Sequence, residues 1–114
     1  MKRFIFIFYL LACNSLFSQE NQLYNRAVTC YNMGDYYTAK KIFNNLKNSS
    51  NYIIKSNANY YLAVTSADLF ENNTSQLFDF FLNEYPQNEK VDDALTQFSD
   101  YLIKKRDYKF LLDL

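Results

Sequence analysis

"YNMGDYYTAKKIF", residues 31 to 43, carries the only glycine in a chain of 114 residues, followed at once by Asp35, Tyr36 and Tyr37. A chain that uses glycine once is not built from hairpins or phosphate-cradling loops, which draw on it for left-handed backbone and close approach to ligands. Gly34 instead reads as one tight junction between two regular elements. Before it, Leu23, Tyr24, Ala27, Val28 and Tyr31 follow a helical spacing. After it, Tyr36, Ala39, Phe43 and Leu46 do so again. Gly34 supplies the left-handed residue that ends the first helix, and Asp35 caps the free amides that begin the second.

Working outward, the motif repeats. "NQLYNRAVT" from Asn21 aligns with "NANYYLAVT" from Asn57, matching Asn21 with Asn57, Tyr24 with Tyr60, Ala27 with Ala63, Val28 with Val64 and Thr29 with Thr65, 36 residues apart. The second copy predicts a helix from about Tyr52 to Phe70, a break at "ENN", and a helix from Thr74 to Tyr85 with Asn73 as its N-cap and Pro86 beyond its end. Asn88 is expected to cap a third leading helix carrying Val91, Ala94, Leu95, Phe98, Tyr101 and Leu102, after which "RDY" at Arg106 repeats the step of "GDY". The fold class expected is all-α, in units of 20–50, 51–87 and 88–114.

"AVTCYNMGDYYTAKKIF" resembles a tetratricopeptide repeat (TPR): Ala27 stands at the small position of the first helix, Gly34 in the turn, Tyr36 after it, Ala39 at the small position of the second helix and Phe43 at its aromatic one. "FDFFLNEYPQN", residues 78 to 88, resembles the repeat ends of envelope TPR proteins of the outer-membrane assembly and Tol-Pal-associated type. The sequence departs from the pattern at Thr74 and Leu111, where the second-helix alanine is expected, and at Arg106 in place of the turn glycine. The resemblance implies antiparallel helical hairpins stacked as a short right-handed solenoid, whose leading helices line a concave groove that holds a peptide or helix of another protein. Carried onto this chain, the groove positions are Asn21, Tyr24, Val28 and Tyr31 from copy one, and Asn57, Tyr60, Val64 and Ala67 from copy two.

Composition narrows the function. With 12 basic and 12 acidic side chains the formal net charge is zero, so no nucleic-acid partner is expected, and the absence of histidine removes the commonest general base and neutral metal ligand together. Asp92 and Asp93 are adjacent, hence about 100° apart on a helix, and read as a solvated face rather than an acid–base pair. No cofactor is expected. The reading is a non-enzymatic protein–protein interaction module, with an envelope hydrolase on a helical scaffold as the alternative from another class.

The N-terminus points to export. Lys2 and Arg3 precede the apolar run "FIFIFYLLA" and a small-residue stretch follows, the layout of a bacterial signal peptide over residues 1–18, leaving a domain at 19–114 with 10 basic and 12 acidic residues. "LLAC" also resembles a lipobox, so two mature forms stand open: a soluble chain from Gln19 in the periplasm, or a lipoprotein anchored through Cys13. After cleavage Cys30 is the lone cysteine and reads as a small buried hydrophobe. Ala39 is expected at the closest approach of two helices, with Lys40 facing out. The apolar end, Phe110, Leu111, Leu112 and Leu114, predicts either the front of a longer array or docking onto another chain, a second copy included.

Overall fold

The computed structural model describes residues 18–113. The expected leader peptide and the lipidation site Cys13 lie outside the described residues, as does Leu114. Among the described residues the chain is all-helical: α1 over 18–32, α2 Tyr36–Leu46, α3 Tyr52–Asp68, α4 Thr74–Glu84 and α5 Val91–Asp113. The connections are short, so consecutive helices run back on one another. None of these helices is long and apolar enough to cross a membrane.

Gly34 sits where its reading put it, at φ +84°. Its amide bonds to the Tyr31 carbonyl at 3.1 Å and the next amide, Asp35, to Cys30 at 2.9 Å. This double closure satisfies two carbonyls that the end of α1 would leave bare. The Asp35 carboxylate then accepts from the Thr38 amide at 3.3 Å and starts α2. The same closure recurs at the end of α3 with phenylalanine in the glycine's place. Phe70, at φ 55°, donates to Ala67 at 3.1 Å while Glu71 donates to Ser66 at 2.9 Å.

Two clusters form the core. Ala27, Ala39, Ile42, Phe43, Leu46, Ile54, Ala58 and Leu62 make the first, and Tyr60, Ala63, Val64, Phe78, Phe81, Tyr85 and Ala94 the second; Tyr31 and Tyr61 pack against both. α3 lies in the middle, touching α2, α4 and α5. A trailing-helix phenylalanine stacks on the following leading helix in each unit: Phe43 on Tyr61 at 4.6 Å, Phe78 on Phe98 at 4.8 Å. Ala39 is fully buried, and Thr74 fills the equivalent site in α4, its hydroxyl donating to the Glu71 carbonyl at 2.7 Å. That internal hydrogen bond is what lets a polar side chain replace alanine there.

Three sequence expectations need correction, and a fourth is met in position alone. Lys40 does not face out: its ammonium holds the Glu71 carboxylate, 2.7 Å to Oε1, and ties α2 to the α3–α4 turn. Glu71 also accepts from Ser66 at its side chain and from Thr74 and Tyr101 at its carbonyl, so one residue joins four helices. Asn73 stands at the N-cap of α4 as expected, but makes no side-chain cap bond. Asn88 lies before α5 rather than at its cap; it accepts from the Lys90 amide and donates to Ser56 and Asn57 on α3. Finally, "RDY" does not break the chain. α5 continues through Arg106 and Leu111 to Asp113. No glycine or asparagine there accepts left-handed backbone, so continuing the helix avoids the strain that a turn at this point would cost.

Candidate functional site

The expected groove positions lie on the face shared by α1, α3 and α5, and burial divides them. Asn21 is exposed. Tyr24, Val28 and Tyr31 are half-buried against the first cluster, Asn57 is half-buried, Tyr60 is 5% exposed and Val64 is fully buried. Val64 therefore belongs to the core and cannot meet a partner, and Tyr60 offers little more than its hydroxyl. The reason is topological. A leading helix enclosed by three neighbours buries residues on nearly every side, and α3 has ten buried positions.

What the face presents instead is a ring of tyrosines. Tyr61 meets Tyr24 at 6.2 Å, Tyr31 at 5.3 Å and Tyr60 at 4.9 Å, all edge-on, which is the preferred aromatic arrangement. The Lys90 ammonium sits 5.3 Å from both the Tyr60 and Tyr61 ring centres, a distance at which ring quadrupoles attract a cation. The Tyr60 hydroxyl donates to Asp93. Gln97 secures the same pair, donating to the Tyr60 hydroxyl at 3.2 Å and to Asp93 at 2.9 Å. Beside this ring, Tyr24, Tyr52, Ser56, Asn57, Asn88 and Lys90 line an open hollow of about 320 Å³.

Burial governs the electrostatics. It raises the Tyr31 phenol to about 12, with the Asp68 charge adding to the effect. Tyr60 moves up further, from burial and then from the hydrogen bond and charge of Asp93. Tyr24 and Tyr61 are raised for the same first cause. Asp68 is raised by burial, against the opposing hydrogen bond from Tyr31 and the charge of Lys104. Phenols held this way stay protonated at neutral pH, so they serve as hydrogen-bond donors and large contact surfaces rather than as bases.

Sequence reasoning missed Tyr61, Lys90, Asp93 and Gln97. One signal for Asp93 was present, since Asn21, Asn57 and Asp93 continue the 36-residue spacing into the third unit. Lys90 had none, because its place over the rings depends on how the α4–α5 turn folds back. Among the described residues, no group of three or more acidic or thiol side chains converges as a metal-ligand set. No family model, no curated protein and no solved structure matches the chain.

Proposed function

We propose that the chain is a non-enzymatic protein–protein interaction module of the bacterial cell envelope, built as a short TPR-like right-handed solenoid and exported by its N-terminal signal. The solenoid reading is supported by devices that recur 35 or 36 residues apart: the left-handed turn at Gly34 and Phe70, the buried small side chain at Ala39 and Thr74, and the stacked phenylalanine at Phe43 and Phe78. The envelope placement rests on the sequence of residues 1–18.

The observation that carries the binding role is the tyrosine ring with Lys90, Asp93 and Gln97 on the α1–α3–α5 face. Half-buried tyrosines give a partner large, rigid contact area with few rotors to freeze, and the fixed amide and hydroxyl groups beside them orient a peptide backbone or helix. Tyr24, Tyr31, Asn57, Tyr61 and Lys90 are the contact residues in this reading; Val64 drops out, and Asn21 extends the surface along α1.

A photo-crosslinking residue at Tyr24, expressed in the native envelope, tests it, with the same probe at exposed Lys41 on α2 as control. A discrete adduct with another protein at position 24 and none at 41 is the expected result. Equal adducts at both positions would remove the face from consideration. Turnover of peptidoglycan by the purified chain, lost on Asp93→Asn, would replace the module with the hydrolase.

A further inference from the structure

The second half of α5 is a helix with no described residue against it on most of its circumference. No described residue after Tyr101 is buried. Up to that point Ala94, Phe98 and Tyr101 face α3 and α4; beyond it Tyr108 reaches back to Phe70 at 5.2 Å, and Lys104 lines a hollow with Ala67 and Asp68. About 100° around the helix from that face, Asp92, Leu95, Ser99, Leu102, Arg106 and Lys109 recur alternately three and four residues apart, the spacing of a coiled-coil seam. All six are exposed, with Leu95 at 48% and Leu102 at 45%. Ile103 and Phe110 flank the seam, 49% and 65% exposed.

We propose that this seam is a self-association surface, and that α5 pairs antiparallel with α5 of a second copy. The charge order selects both occupant and direction. The seam begins with an acid, Asp92, and ends with two cations, Arg106 and Lys109. Around it the first half of α5 holds Asp93 and Asp100, and the second half Lys104 and Lys105. A twofold axis between Asp100 and Tyr101 sets Asp92 across from Lys109, the Arg106 stem over Leu95, and the small Ser99 across from Leu102. A parallel pair would instead oppose Asp92 to Asp92 and Lys109 to Lys109, which like-charge repulsion disfavours. The salt bridge of Arg106 with its neighbour Asp107 does not compete. At 3.6 Å, with side chains 76% and 61% exposed, it contributes little. The pairing leaves the tyrosine face of each copy uncovered, because that face lies on the far side of α5 from Leu95, where Asp93 and Gln97 meet Tyr60 of α3.

Sedimentation velocity of the purified chain over a series of concentrations tests the proposal. A monomer–dimer equilibrium is expected, lost on Leu102→Glu with the circular dichroism unchanged, since Leu102 belongs to neither core cluster. Asp92→Lys and Lys109→Asp should each weaken the dimer by about tenfold, and the double exchange Asp92→Lys with Lys109→Asp should return most of that affinity. A monomer at every concentration overturns the proposal. So does a dimer indifferent to Leu102→Glu, which would mean association elsewhere on the chain, and so do single charge changes that the double exchange fails to rescue.

Discussion

Gly34 and Phe70 hold the same backbone turn 36 residues apart, one with no side chain and one with a large one. At Gly34 an added Cβ would meet nothing within 4 Å, so any cost of Gly34→Ala is backbone strain alone. At Phe70 the strain is already present. It is offset by the ring, which packs on Tyr101 at 5.3 Å and Tyr108 at 5.2 Å. Left-handed backbone costs a residue with a Cβ roughly 1–2 kcal/mol relative to glycine. The two sites should therefore rank glycine and alanine alike: Gly34→Ala destabilises by about 1 kcal/mol, and Phe70→Gly is more stable than Phe70→Ala by about the same amount. Urea midpoints of the three variants and the parent give the comparison. If alanine equals or beats glycine at either site, the left-handed turn there is wrong.

Helix pairs meet through small residues, and here the hairpin reading faces its most direct check. Ala39 is fully enclosed between α2 and its neighbours, so Ala39→Leu should cost on the order of 1–3 kcal/mol by overpacking. The proper control is Lys41, which is exposed, and Lys41→Leu should stay within about 0.5 kcal/mol. Lys40 cannot serve, because removing it would also strand Glu71. Thermal melts of Ala39→Leu and Lys41→Leu that coincide would show that α2 is turned by a step. The hairpins were legible in the sequence because each is specified locally, by Gly34 with Asp35, by the spacing around Phe43, and by Pro86 after α4. What stayed hidden was tertiary. Lys40 and Glu71 are 31 residues apart and Lys90 reaches the rings of the preceding unit, so no window on the chain contains either contact. The unbroken α5 is hidden for the opposite reason, since "RDY" shares the acidic-aromatic step of "GDY" but has no residue suited to the turn.

At the scale of the whole molecule, the two core clusters are joined through phenols. Tyr31 and Tyr61 pack against both clusters, Tyr60 within the second touches Tyr61, and Tyr24 reaches Tyr61 from α1. Ionising any of them puts a charge between the clusters, beside Asp68 and Asp93. Each of these phenols is raised above its ordinary value near 10, Tyr31 to about 12 and Tyr60 beyond it, with burial the first cause. The folded state then binds protons more tightly than the unfolded chain, whose tyrosines titrate near 10. By linkage, this contribution to stability is fully present below about pH 10 and is lost as pH rises through the folded values. Urea midpoints should hold level with respect to these groups up to about pH 10 and then fall continuously to pH 12 and past it. Tyr31→Phe, which keeps the ring and removes the ionisable group, should remove part of that fall between pH 10 and 12. A stability that stays level to pH 12, or a Tyr31→Phe variant that falls as steeply as the parent, would mean that water reaches these hydroxyls freely and that the tyrosines do not join the two halves of the core.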